Sequence, residues 1–307
     1  MTSTTTSAVG RPPGRDFALL AVGVLAVSTS GPLIAATAAP ALAIAFWRNA
    51  FGTAVLAPFA LLRHRRELLT LSRRQWQLAG AGGVLLALHF ATWVPSLDYT
   101  SVASSTALVA TQPAWAALIA RWRGQLVPRQ AWVGIAVAFA GVLVISGVDF
   151  SLSRQALFGD LLALVGAFFA ALYVTVGAEA RRTTGTTVYT TIVYATTSVV
   201  LLVTCLLLAQ PLSGYSADTW TKLLLLTAGA QLLGHTVFNA VLKTTPPTVM
   251  SLAILFEMPG SALLAWAWLG QVPPRGVLPG AALLLVGIAL VVRSSTSGSA
   301  VTVPPVE

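Results

Sequence analysis

Two ionisable residues sit deep inside long apolar stretches of this chain, and each could do chemistry there. Glu257 lies in "LAILFEMPG", two residues before Pro259. A proline frees backbone carbonyls and weakens a helix. A carboxylate beside it could carry a proton, bind a cationic group, or pair structurally with a buried base. Arg48 lies in "AFWRNAF". Its planar fork could hold a carboxylate, pair with Glu257, or snorkel along the apolar surface towards water. His89 and His235 stand 146 residues apart in similar surroundings, and Trp93 and Asn239 each follow one helical turn later. Within each pair the histidine and the later residue share a helix face. Gln112 precedes Pro113 as Met258 precedes Pro259. A lone histidine in such a stretch can also be a plain interhelical hydrogen-bonder.

The elements that hold these residues are hydrophobic. Of 307 residues, 56% are hydrophobic and 9% charged, against roughly 25% charged in soluble domains. Such a chain cannot cover itself with polar surface, and in lipid it has no need to. Apolar segments of about 20 residues, the length that crosses a bilayer, run approximately 17–36, 40–62, 76–96, 101–120, 130–148, 157–178, 188–209, 220–242, 247–269 and 276–293. The tails, 1–15 and 294–307, are rich in Ser, Thr, Gly and Pro and read as disordered. The first segment also resembles a signal peptide, with Arg11 and Arg15 before it and "AATAAPALA" at 35–43. Of the 18 Lys and Arg, 14 fall on one side of such a ten-span path, three on the other, and Arg48 lies within a span. The positive-inside rule then places both termini in the cytoplasm. The formal charge of +9 therefore orients the chain in its membrane and does not point to nucleic acid. The one cysteine, Cys205, allows no internal disulfide.

The chain repeats itself. Shifted by 146, segment 79–145 lies over 225–291 without a gap, with 16 of 67 positions identical. Gly83 falls on Gly229, His89 on His235, Ser105 on Ser251, Pro113 on Pro259 and Trp122 on Trp268. Gly124-Gln125 falls on Gly270-Gln271, Gly134 on Gly280 and Gly141 on Gly287. A shift of 144 carries Asp16 onto Asp160. The expected fold is thus an all-α integral membrane protein of ten transmembrane helices in two five-helix repeats, 16–150 and 155–293. Five is odd, so the second copy enters from the opposite side, as in secondary transporters built from inverted repeats. The glycines read as helix-packing faces, and Trp115, Trp122, Trp220 and Trp268 as interfacial anchors. The halves differ at Thr111 against Glu257 and Trp93 against Asn239, which makes any shared cavity chemically lopsided.

The sequence holds no G-x-x-x-x-G-K-[ST] phosphate loop, no G-x-S-x-G elbow and no H-E-x-x-H or cysteine metal spacing. We expect no cofactor, no bound metal and no enzymatic activity.

The stretch "GHTVFNAVLKTTPPTVMSLAILFEMPGSALLAWAWLGQVPP" and the following "GAALLLVGIALV" resemble the EamA repeat of the drug/metabolite transporter superfamily. So do, less closely, "HFATWVPSLDYTSVASSTALVATQPAWAALIARW" and "GIAVAFAGVLV". "FWRN" at 46–49 and "GDLLALVGAFFAALY" at 159–173 are similar to the family's second and sixth helices. The resemblance covers the chain apart from its tails. It implies ten helices, cytoplasmic termini and export of small metabolites, often amino acids or drug-like compounds, without ATP. In one respect the chain departs from the family: Gln125 and Gln271 stand where members usually carry glutamate. The expectation is a bacterial cytoplasmic-membrane exporter working by alternating access, the two repeats rocking about a midplane site. Arg48, His89, Trp93, Gln112, His235 and Asn239 would meet a small-molecule substrate, and Glu257 would carry a coupling proton. The lipid bilayer is the other partner, and a homodimer is compatible with the sequence. A passive uniporter or channel, or a membrane-embedded enzyme, are the rival readings.

Overall fold

Serines set the helix starts. In the computed structural model, which describes residues 14–124, 126–235, 237, 255–273, 275 and 277–297, Ser72 closes a capping box with Gln75 at the start of α5 (Arg73–Ser96). Ser101 caps α6 (Val102–Val109), and Ser153 caps α9 (Arg154–Ala180). Each hydroxyl accepts from a backbone N–H that has no partner within its own helix. The remaining helices are α1 (Gly14–Ser28), α2 (Ser30–Ala35), α3 (Ala41–Arg63), α4 (Arg65–Thr70), α7 (Gln112–Trp122), α8 (Arg129–Leu152), α10 (Thr186–Leu207) and α11 (Ala217–Leu226). α11 continues into a π-helical stretch, Thr227–His235, and α12 (Glu257–Leu269) and α13 (Val277–Ser297) follow. All regular structure among the described residues is helical.

Six stretches among the described residues are long and apolar enough to cross a membrane: Phe17–Ala35, Ala41–Arg63, Arg73–Ser96, Val102–Trp122, Arg154–Ala180 and Thr186–Leu207. Two shorter apolar stretches, Arg129–Ile145 and Val277–Val291, lie on α8 and α13. These bounds track the spans expected from the sequence. The expected spans 220–242 and 247–269 run partly outside the described residues. Outward faces are apolar, with Leu62, Leu143 and Leu207 strongly exposed, as lipid contact requires.

Several spans are broken. Thr29 interrupts the first, its hydroxyl and amide both turning back to the Ala26 carbonyl at 2.6 and 3.3 Å. Ala110–Thr111 interrupts the fourth, just before Pro113. Leu255–Phe256 form a turn before α12, at the equivalent place ahead of Pro259. After α7 and α12 the chain turns on Gly124 (φ 80°) and Gly270 (φ 66°), matched positions of the two halves whose left-handed backbone favours glycine.

Packing joins the halves closely. Gly134 and Gly141 of α8 meet Gly287 and Gly280 of α13 in antiparallel order, each close enough that a Cβ would strike the partner's backbone. α5 and α9 also run antiparallel, Gly166 lying against Trp93 and Gly159 against Ser96, Tyr99 and Thr100. Two buried cores result. One gathers residues mainly from the expected spans one, two, three, seven and eight, including Ile44, Phe90, Val193 and Leu223. The other gathers four, five, nine and ten, including Leu108, Ile145, Met258 and Leu284. Each core draws on both sequence halves. Trp115, expected at an interface, instead packs edge-on against Phe139 and Phe168, 5.5 Å from each, with its Nε1 buried.

Candidate functional site

Arg48 lies on α3 seven residues past Ala41, roughly 10 Å along the helix, and is only 1% exposed. It does not snorkel. Its Nε donates to Gln231 Oε1 at 2.7 Å, and Nη1 approaches Ser30 Oγ at 3.4 Å. The guanidinium carbon sits 4.4 Å from the centre of the Phe90 ring, a cation–π geometry. Ser30 opens α2, just past the break at Thr29. Gln231 belongs to the π-helical stretch, and its Nε2 donates to Asn49 Oδ1 at 3.0 Å. Asn49 in turn donates Nδ2 to the Ala45 carbonyl at 2.8 Å. Gly52 makes room: a Cβ there would stand 3.4 Å from Gln231 Nε2 and 3.3 Å from the Tyr194 ring.

The cation is therefore held almost wholly by neutral groups. Glu257 opens α12 and forms no salt bridge with Arg48. A cation at membrane depth without a bound counter-ion is costly and is primed to take an anion, for which the planar guanidinium is the apt receptor. One turn beyond Glu257, the Ser261 hydroxyl is buried without a partner among the described residues, as is that of Ser28 on the facing helix. These two mark where α12 crosses the end of α1 and the start of α2, Gly260 packing on Ser28 and Gly31 on Ser261.

The structure brings some of the expected residues together. His89 stacks on Trp93, 5.6 Å between ring centres, and packs beside Phe90 at 4.9 Å. Its Nδ1–H donates to the Gly166 carbonyl at 2.9 Å, tying α5 to α9. Trp93 is 4% exposed, and its Nε1 has no partner among the described residues. Gln112 stands apart: it opens α7, half-buried, and no hydrogen bond links it to Arg48. His235 ends the π-helical stretch, but its side chain lies outside the described residues, as does the whole of Asn239. The sequence reading passed over Gln231, Asn49, Ser30 and Phe90. A signal existed for one of them, since Gln231 faces Leu85 under the 146-residue shift, a mismatch of the kind already noted for Asn239 against Trp93. Gln271, one of the two positions where the family usually has glutamate, accepts from Val102 N at 3.3 Å at the start of α6. A neutral amide is sufficient for that contact.

Polar ties close the protein at both ends of the bundle. At the arginine-rich end, Arg74 and Arg182 bracket Glu179 at 3.0 and 3.3 Å. There too, Gln75 donates to the Thr183 carbonyl at 2.8 Å, and Glu67 accepts from Gly185 N. At the other end, Lys222 donates to the Ala36 carbonyl at 3.1 Å and Trp47 to the Leu212 carbonyl at 2.9 Å. Trp47 also meets Trp220 edge-on at 5.0 Å.

Known proteins share this architecture. A crystal structure superposes with a TM-score of 0.64 over 90% of this chain and 96% of its own length, at 19% identity, which establishes a common fold. An uncharacterized transporter of Archaeoglobus fulgidus is 24% identical over 255 residues, covering 80% of this chain and 86% of its own. The model of the EamA-like transporter family matches twice, over residues 16–147 and 157–293. With nearly the whole chain accounted for by two copies of that family's domain, this membrane protein belongs to the EamA-like transporter family.

Proposed function

We propose that the chain is a secondary transporter that exports small organic metabolites bearing an anionic group, such as a carboxylate, across a bacterial cytoplasmic membrane. In this reading ten helices form two inverted five-helix repeats, with the arginine-rich end and both termini in the cytoplasm. The observation that carries the proposal is Arg48, buried at membrane depth, held by Gln231, Ser30 and Phe90, and shut off by polar ties at both ends. A site of this kind serves alternating access, in which each set of ties opens in turn.

The packing suggests which bodies move. The two buried cores cut across the sequence repeats, so the moving bodies would not be the first and second halves of the chain. Glu257, at the start of α12 and within electrostatic reach of Arg48, would carry the coupling proton. One charge moved through 100 mV is worth about 2.3 kcal/mol, enough for one proton per substrate to drive accumulation.

The first step of the test is to compare metabolites in medium and cytoplasm between cells lacking and overproducing the protein. The compound so found is then followed in proteoliposomes under an imposed pH gradient. Uphill accumulation that is lost in Glu257→Gln, with counterflow retained, supports proton coupling. Undiminished accumulation in that variant removes Glu257 from the role. Dissipation without uphill movement in the wild type would instead favour a passive uniporter.

A further inference from the structure

We propose that Gln231 is a positioning residue that fixes which edge of the Arg48 guanidinium is offered to the anionic group of a substrate. The proposal rests on the reading of Arg48 as an anion receptor. A guanidinium can meet a carboxylate with its side edge, through Nε, or with its end, through the two Nη groups. Gln231 Oε1 occupies Nε at 2.7 Å. Ser30 makes only a long contact of 3.4 Å to Nη1, and Nη2 hydrogen-bonds to none of the described residues. Phe90 covers one face of the group. The end edge is what remains for an incoming carboxylate.

The amide cannot turn round. The Ala45 carbonyl only accepts, so Asn49 must point Nδ2 at it and Oδ1 at Gln231. Gln231 must then give Nε2 to Asn49 and Oε1 to Arg48, which only donates. The relay has one polarity from Ala45 to Arg48, with no member free to flip. Its anchor is local to α3, since Arg48 and Asn49 both lie about one turn beyond Ala45.

The backbone beneath Gln231 adds a second constraint. Thr227–His235 is π-helical, a form concentrated at functional sites. Rewinding that stretch as α-helix would turn Gln231 away from α3 and leave Nε unpaired. Packing alone does not call for an amide here. Gln231 is 1% exposed, and an apolar side chain of its size would fill the same space without a polar group to satisfy. Leu85 holds the matching position in the first half.

The test uses the purified full-length protein in detergent, with benzoate as probe and benzamide as its uncharged analogue, binding being read by calorimetry and folding by thermal unfolding. The wild type should prefer benzoate, and Arg48→Ala should lose that preference. Gln231→Met should bind benzoate roughly 10–100-fold more weakly, the usual size for a hydrogen bond to a charged group, with benzamide binding unchanged. Gln231→Glu should lose benzoate altogether, because a carboxylate in the place of Oε1 beside Nε would neutralise the charge that draws the probe. A purely structural role would weaken both probes together. Should Gln231→Met fail to fold, Asn49→Leu decides, since freeing the Gln231 amide to flip should produce the same selective loss. Wild-type benzoate affinity in Gln231→Met, or in Asn49→Leu, alongside loss in Arg48→Ala would overturn the positioning role and leave the anion receptor standing. A wild type with no preference for benzoate, or one unchanged by Arg48→Ala, would overturn the receptor reading and this proposal with it.

Discussion

Gly141 and Gly280 touch backbone to backbone: a Cβ on Gly141 would lie 2.6 Å from the Gly280 carbonyl oxygen, and one on Gly280 would lie 2.9 Å from that of Gly141. Seven residues along each helix, Gly134 and Gly287 repeat the contact, with a Cβ on Gly134 falling 2.6 Å from the Gly287 oxygen. Neither helix can yield, because what each meets is main chain. Replacing Gly141 or Gly134 with valine should destabilise the protein by about 1–3 kcal/mol, the usual cost of overpacking a tight core. Gly80→Ala is the matched control, since nothing lies within 4 Å of its Cβ position, and it should be neutral or stabilising by up to about 1 kcal/mol. Thermal unfolding in detergent compares the three variants.

Arg48→Lys should transport poorly although it keeps the charge. A lysine offers a point charge in place of a fork and cannot at once satisfy Gln231 and grip a carboxylate. We expect substrate affinity to fall roughly 10–100-fold, given about 1.5–3 kcal/mol for a hydrogen bond to a charged group. Counterflow in proteoliposomes measures this. Affinity within twofold of wild type would show that only the charge matters.

The ties at the arginine-rich end should have to break during each transport cycle. With Cys205, the sole native cysteine, changed to alanine, paired cysteines at Gln75 and Thr183 can be joined by a short thiol-specific bridging reagent. Bridging should stop transport and a reducing agent should restore it, whereas either single cysteine should tolerate the reagent. Glu179→Gln, by contrast, should cost under about 1 kcal/mol of stability, because its partners Arg74 and Arg182 are exposed to solvent. Full transport by the bridged protein would mean that this end does not gate.

Asp98, in the turn between α5 and α6, has its carboxyl pushed above the ordinary aspartate range by partial desolvation. The folded protein therefore holds this proton more tightly than the unfolded chain does. The resulting stabilisation is complete below the unfolded value of about 3.9 and is lost as pH rises through the folded one. Asp98→Asn should remove this component from the pH profile of the melting temperature, and the effect should be small because the group meets water. Identical profiles for the two proteins would refute it.

What could be read from the sequence depended on contrast. Arg48 and Glu257 stand out because an ionisable group in an apolar run is costly. Ser72 with Gln75, and Gly270, declare helix ends through local chemistry that needs no knowledge of the rest of the fold. Gln231 and Asn49 escape notice. A single neutral amide in a span costs little enough to look like ordinary packing, and the residues that give each its purpose lie 182 or 183 positions away. The break at Thr29 is also passed over, although Gly31 and Pro32 follow it at once and Pro32 has no N–H to give the Ser28 carbonyl. Nor does periodicity reveal the π-helical stretch, because nine residues are too few to separate its pitch from that of an α-helix.

The glycine seam between α8 and α13 also bears on how the protein is made. α8 leaves the ribosome well before its partner exists, and at about 5–20 residues per second α13 follows on the order of ten seconds later. Through that interval Gly134 and Gly141 form a bare groove in the membrane, open to any helix with a matching row of small residues. Biogenesis must keep that groove unoccupied until α13 arrives. A chain cut short before Val277 would remain in the bilayer with its most adhesive face uncovered.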